Sequence, residues 1–245
     1  MNTWNIVELE SVDSTNTEAK RRAKAGVRED TLIRAEHQTA GRGRFDRKWE
    51  SPRGAGLWMT QLFGPRNIKA MDAGGAVFLS AVAMAQTLRK LTGGEVLIKW
   101  PNDLVINGKK ICGMLAECGF RGDMCDWIAM GLGLNLRRDA LPKELIYASS
   151  VEAETGIVPE TGELLAEYLV AFDRLRNEWE ERGLASVIAQ MLPISATVGR
   201  DVRVDSVPAR ALGIDPDGAL VCEFADGVRR VLAGDVSVRG ITDYV

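Results

Sequence analysis

Gly41-Arg42-Gly43-Arg44-Phe45-Asp46-Arg47-Lys48-Trp49 packs two glycines, three arginines and a lysine into nine residues, soon after a strand-like run from Thr31 to Ala35. Glycine has no Cβ and tolerates positive φ, so backbone N–H groups in such a loop can come close to a ligand. Arginines at this spacing supply forked donors that match carboxylate and phosphate oxygens. The alternative is a solvated charged loop, and residue types alone leave both readings open. The chain as a whole is slightly acidic, with a net charge of −3. Strong local positive charge against that background points to a specific anionic small-molecule site, not a generally basic surface.

Working outward, 245 residues suit one large domain, or one medium domain with a small appendage. Apolar content of 46% and charged content of 27% are ordinary for a globular protein. The net charge argues against broad nucleic-acid or membrane binding. No apolar run approaches the roughly 20 residues that a membrane span needs. Met1 to Glu10 has no basic start and no apolar signal core, so a cytoplasmic location is expected. Cys112, Cys118, Cys125 and Cys222 form neither a CxxC pair nor a metal-ligand spacing, which reads as reduced, mostly buried thiols.

Trp4 to Leu9 alternates as a first strand does. Asp13-Ser14-Thr15-Asn16, with Glu18 three residues after Thr15, predicts a capping box opening a helix that ends at Gly26. Thr31 to Ala35 and Gly56 to Phe63 read as strands on either side of the glycine–arginine loop. Ala76 to Leu91 is almost wholly apolar until its last turn, as a core helix against a sheet should be. Glu95 to Trp100 reads as a short strand. Leu104 to Ile106, the turn pair Asn107-Gly108, and Lys109 to Glu117 predict a hairpin with a primed turn. Trp127 to Leu136 reads as a further strand. Glu163 to Arg182 carries the apolar periodicity of an amphipathic helix, and a shorter helix runs from about Leu184 to Leu192. From Thr197 on, short alternating runs separated by Asp215-Pro216-Asp217-Gly218 and Asp226-Gly227 predict a unit of about five strands. About 50 residues make a marginal independent core, so this unit is expected to pack on the larger one.

Three more stretches carry chemistry. Lys99-Trp100-Pro101-Asn102-Asp103 places a cation, an amide and a carboxylate at a strand end. That set suits a nucleotide phosphate with Mg²⁺, a hard cation that takes oxygen ligands, or else makes a polar turn with a surface ion pair. Lys109 to Glu117 is either a site segment or a hairpin with solvated lysines. Gly131-Leu132-Gly133-Leu134-Asn135-Leu136 can bring backbone close to a ligand, although glycine in a strand has several causes.

Taken together, in this order and spacing, the four stretches resemble the biotin–protein ligases, also called biotin–[acetyl-CoA-carboxylase] ligases. The resemblance runs from about Val7 to the end of the chain. It rests on Asp13 to Asn16, on Gln38 with GRGRFDRKW, on KWPND, on Lys110 to Glu117, and on GLGLNL. It implies an α/β (α+β) fold: a class II synthetase-like catalytic domain, with a mixed, largely antiparallel sheet flanked by helices, over residues 1–193. A small C-terminal SH3-like β-barrel would follow over residues 194–245.

The resemblance also implies roles. Ser14, Thr15 and Gln38 would hydrogen-bond the biotin ureido ring, and Asn16 would belong to the same biotin-binding set. Gly41, Arg42, Gly43 and Arg44 would lie on a loop closing over biotin and the acyl-adenylate, Arg47 would face phosphates, and Trp49 would pack on the closed loop. Lys110 would sit between the biotin carboxylate and the α-phosphate, with Gly113 and Leu115 lining the biotin pocket. Lys99 would contact phosphates, Asn102 and Asn135 the adenine side, and Asp103 Mg²⁺. Catalysis would fall to Lys110, Arg44, Arg42 and Arg47, with ATP and biotin as substrates and Mg²⁺ as cofactor. These cations would neutralise two anions that must meet, biotin's carboxylate and the α-phosphate. No catalytic role is assigned to His37, the single histidine.

The implied acceptor is a lysine of a biotin carboxyl carrier protein, and a homodimer through a sheet edge is implied on the same ground. Phe45-Asp46 stands where many relatives carry small or basic residues, and Ala116 where a β-branched residue is common. The chain begins at the catalytic domain, so DNA binding is not expected. The rival readings are a lipoate–protein ligase and a catalytically silent biotin or nucleotide sensor. The GRGR loop and KWPND favour biotin over lipoate; Lys110, Arg44 and Asp103 favour turnover over sensing.

Overall fold

The computed structural model describes residues 3–138, 141, 145–233, 238–240, 244 and 245. Strand β1 (Asn5–Leu9) runs parallel to β2 (Thr31–Ala35). A parallel pair needs a crossover, and helix α1 (Thr15–Lys24) supplies it. The expected capping box does not form. Ser14 stands at the N-cap but its hydroxyl makes no cap bond, and the Glu18 carboxylate turns to Arg21 and Arg22 instead. The hydroxyl of Thr15 is drawn to Gln38 and Thr60 beside the cleft described below.

Strand β3 (Gly56–Phe63) pairs antiparallel with β2. Helix α2 (Ala76–Thr92) follows, then β4 (Leu97–Lys99), β5 (Asp103–Ile106), β6 (Lys109–Arg121) and β7 (Met124–Asn135). Between β5 and β6, Asn107 (φ 51°) and Gly108 (φ 74°) take the left-handed pair of values that a primed hairpin turn demands. The seven strands lie in the order β1-β2-β3-β7-β6-β5-β4. Only β1 and β2 are parallel, which makes the sheet mixed and largely antiparallel.

A five-residue helix, α3 (Val151–Thr155), has no counterpart in the sequence reading. Helices α4 (Thr161–Arg182) and α5 (Ala185–Met191) follow it. Alternation along β3 sorts the two faces of the sheet. Leu62 packs with Ala19 and Ala23 of α1, while Leu57 and Phe63 join α2 and α4 in the main core. The segment Ala70–Thr92, α2 with the turn before it, is apolar and long enough to cross a membrane by composition. This corrects the expectation that no run comes near that length. Its most apolar stretch is 72% buried, because α2 packs on the sheet and on α4.

Strands β8 (Asp201–Val204), β9 (Val207–Ile214), β10 (Leu220–Phe224), β11 (Gly227–Val231) and β12 (Val238–Gly240) form a second, antiparallel sheet in the order β11-β10-β9-β8-β12. Val202, Leu220 and Cys222 belong to the same continuous core as α2, so the small sheet shares the large one's apolar interior. Trp100 fastens the two: it is 1% exposed, and its indole Nε1 donates to the Gly218 carbonyl at 2.9 Å. Truncating a buried tryptophan of this kind costs about 3–5 kcal/mol.

Candidate active site

A cavity of about 250 Å³ opens over β5, β6 and β7, between α1 and the small sheet. Every sequence-predicted site residue lines it except Gly41. Gly41 lies beneath the loop, where a Cβ would meet the Trp49 carbonyl oxygen at 2.4 Å.

The glycine–arginine loop is a folded hairpin, not a solvated strand of charge. Trp49 N–H donates to the Gly41 carbonyl at 2.9 Å, Gly43 N–H donates to the Arg47 carbonyl at 2.7 Å, and Arg42 bridges Lys48 between them. A 3₁₀ turn over Arg44–Asp46 forms the tip, with Phe45 held at φ 56°; the Asp46 side chain lies outside the described residues. The hairpin lays the Trp49 indole on a floor of two glycines, Gly113 and Gly133, which face each other across β6 and β7. A Cβ at Gly133 would come within 2.4 Å of the indole Nε1, and one at Gly113 within 2.9 Å of Cζ3. Those glycines therefore serve close approach of an aromatic side chain of the same chain.

At one end of the cleft, Gln38 Oε1 accepts from Thr15 N at 2.9 Å and from Thr15 Oγ1 at 3.2 Å, while Gln38 Nε2 donates to Ser51 Oγ at 2.8 Å. Asn16 Nδ2 donates to the Leu115 carbonyl and to Glu117 Oε2, each at 3.1 Å, and its Oδ1 accepts from Thr60 at 2.6 Å. Asn16 thus braces the wall. The Ser14 hydroxyl, withheld from the helix cap, belongs to a 3% exposed residue on the cleft lining.

At the other end, Asp103 is buried, and Lys110 Nζ lies 2.6 Å from its Oδ1. Tyr244 Oη donates to its Oδ2. Burial pushes this carboxyl up, but the charges of Lys110 and Lys99 outweigh it and hold it below the usual carboxylate range. Lys99 Nζ sits 4.3 Å from the Tyr244 ring centroid, and Tyr244 stacks on Tyr147. Lys110 Nζ also lies 5.2 Å from the Trp49 ring. Arg44 donates to Asn102 Oδ1 at 3.2 Å and to the Ala233 carbonyl of the small sheet's loop. Burial pushes the Cys112 thiol up, out of reach of thiolate chemistry.

The carboxylate expected to hold Mg²⁺ is committed to a lysine and a tyrosine. Among the described residues, no group of three His, Cys, Asp or Glu side chains is placed to bind a metal. The described residues therefore form no all-protein cage for a divalent cation. Arg42, expected to act in catalysis, pairs with Glu117 Oε1 at 3.2 Å. His37 meets Ser11 at 3.4 Å and does not line the cavity.

Among the described residues, two buried polar atoms on the lining meet no hydrogen-bond partner: the donor Trp49 Nε1 and the acceptor Asn135 Oδ1, whose own Nδ2 donates to the Ser149 carbonyl at 3.0 Å. Buried groups of this kind cost free energy until a ligand or water meets them. Sequence reasoning left Thr60, Glu117, Tyr147 and Tyr244 without roles. Each is far in sequence from the residue it touches, and nothing in local spacing pointed to them.

Comparison with known proteins places the cleft in context. Residues 8–135 match the model of the Biotin/lipoate A/B protein ligase family, and residues 197–239 match the biotin protein ligase C terminal domain. The biotin–[acetyl-CoA-carboxylase] ligase of Paracoccus denitrificans is 31% identical over 244 residues, covering 95% of this chain and 100% of that protein. The bifunctional ligase/repressor BirA of Escherichia coli K12 is 30% identical over 96% of this chain and 74% of its own length. A biotin protein ligase from Aquifex aeolicus, solved with biotin and ATP, superposes with a TM-score of 0.82 over 96% of this chain and 99% of that one, at 24% identity.

Proposed function

This chain belongs to the Biotin/lipoate A/B protein ligase family, and we propose that its cleft activates biotin with ATP and transfers it to a lysine of a biotin carboxyl carrier protein. The observation that carries this reading is the pair of buried atoms, Trp49 Nε1 and Asn135 Oδ1, that meet no partner among the described residues, in a cavity bordered by Lys99, Lys110 and Arg44. A donor, an acceptor and three cations suit a ligand that joins an acid to a nucleotide. The full-length similarity to the Paracoccus denitrificans ligase supports biotin as the acid.

The Ser14 hydroxyl and the Gln38 amide face the ureido ring, whose N–H groups donate and whose carbonyl accepts. Trp49 closes over the bound ring from the loop side. Lys110 carries three N–H donors. Asp103 takes one and fixes the ammonium, leaving the others for the biotin carboxylate and the α-phosphate. The carboxylate oxygen attacks the α-phosphorus, the bond to the bridging β-oxygen breaks, and pyrophosphate leaves. Lys110, Lys99 and Arg47 stabilise the charge that builds in that transition state. Asn135 accepts from the nucleoside, with Asn102 beside it. Mg²⁺ would arrive as the counter-ion of ATP, ligated by phosphate oxygens and water. A lysine amine of the acceptor then attacks the acyl carbon and AMP departs.

The test is biotin transfer to a purified biotin carboxyl carrier domain with ATP and Mg²⁺, run beside lipoate. Labelling with biotin alone supports the assignment. Labelling with lipoate alone, or tight biotin binding without turnover, overturns it.

A further inference from the structure

Glu117 lies on β6, outside the cavity lining, yet it gathers side chains from three separate elements. Its Oε1 accepts from Lys20 Nζ of α1 at 2.6 Å and from Arg42 Nη1 of the glycine–arginine hairpin at 3.2 Å. Its Oε2 accepts from Asn16 Nδ2 at 3.1 Å. Asn16 is itself anchored by Thr60 and the Leu115 carbonyl, and it fits only because Gly131 has no Cβ, which would fall 2.1 Å from Asn16 Oδ1. A continuous polar chain, Thr60–Asn16–Glu117–Arg42, therefore runs from the interior strand β3 to the base of the hairpin.

The chain matters because of where Arg42 sits. It opens the hairpin opposite Lys48, and its side chain is 39% exposed while that of Glu117 is 22% exposed. The apolar hold on the hairpin is narrow, chiefly the Trp49 indole on its glycine floor, and Phe45 at the tip is exposed. Arg42 sits on the opposite strand of the hairpin, one residue along from the Gly41–Trp49 pair, so a charged tether there holds the base of the hairpin against β6 beside the Trp49 anchor.

We propose that Glu117 is a positioning residue that latches the hairpin closed through Arg42, and so sets how long the acyl-adenylate is retained. Arg42 then acts as the other half of this latch, away from the reacting phosphate. The proposal rests on the ligase reading above, in which the hairpin covers the intermediate.

The experiment is a double-mutant cycle on release of biotinoyl-AMP, formed in place from biotin and ATP and followed after rapid dilution. Glu117→Gln and Arg42→Gln should each speed release about fivefold, the scale of a partly exposed, hydrogen-bonded ion pair. The double variant should release no faster than the quicker single one, because both remove one link. Trypsin cleavage within the loaded hairpin should quicken in Glu117→Gln by a similar factor, a change that a purely structural loss elsewhere would not localise there. Glu117→Asp keeps the charge but shortens the reach, and should fall between wild type and Glu117→Gln; it also serves if Glu117→Gln fails to fold. Unchanged release in Glu117→Asp and Glu117→Gln, or effects that multiply in the double variant, overturn the latch. A wild type that makes no biotinoyl-AMP overturns the ligase reading before any variant is compared.

Discussion

Gly133→Ala tests the glycine floor directly. The new methyl would sit 2.4 Å from Trp49 Nε1 and 2.5 Å from Cε2, where ordinary contact begins near 3.4 Å, so the indole must withdraw by about 1 Å. Overpacking of this kind costs roughly 1–3 kcal/mol, which is about a 5- to 150-fold shift of the hairpin from closed to open. Strand β7 itself should tolerate alanine, which loses less backbone freedom on folding than glycine. The expected result is therefore separable: biotin affinity by titration calorimetry falls at least about fivefold, while the melting temperature stays level or rises. Gly213→Ala on β9, where a Cβ meets nothing within 4 Å, is the control and should bind as wild type does. Wild-type biotin affinity in Gly133→Ala would refute the packing of Trp49 on this floor.

Lys110→Ala should lower single-turnover adenylation by about 10²–10³-fold, the usual cost of removing one preorganised charge-stabilising donor; near-normal adenylation would contradict its role. Arg44→Ala removes the donors to Asn102 and to the Ala233 carbonyl, so free biotinoyl-AMP should rise relative to acceptor labelling, and unchanged leakage would sink the assignment. The Glu117 carboxyl is raised by burial but held lower overall by Lys20, Asn16 and Arg42. Because its folded value lies below its unfolded value of about 4, its contribution to stability is present above that pH and lost as pH falls through the folded value. Urea unfolding followed from pH 6 down to pH 3 should show a shallower loss of stability in Glu117→Gln than in wild type, and equal slopes would count against the network.

What the sequence by itself determined was whatever depends on near neighbours. Asn107-Gly108 dictates a primed turn because both residues accept positive φ, and β5 and β6 meet there. A nearly unbroken apolar run placed α2, apolar periodicity placed α4, and short strand-like runs flanking the glycine–arginine loop placed β2 and β3, to within a residue or two. Residue chemistry in GRGR, KWPND and GLGLNL marked the cleft, and all of those stretches converge on it. The local cap of α1 was misread because Thr15 answers to Gln38, 23 residues away, and to Thr60, 45 away. Only the tertiary structure decided which charge meets which. Strand register set Gly113 opposite Gly133 and so made room for Trp49. The packing of α1 on β3 and β7 brought Lys20 and Asn16 to Glu117, and the hairpin brought Arg42 to the same carboxylate. The turn at Asp103 met Tyr244 from 141 residues away. A charged or polar side chain carries no record in its own sequence of its distant partner. That pairing exists only after the apolar faces have chosen how the elements stack.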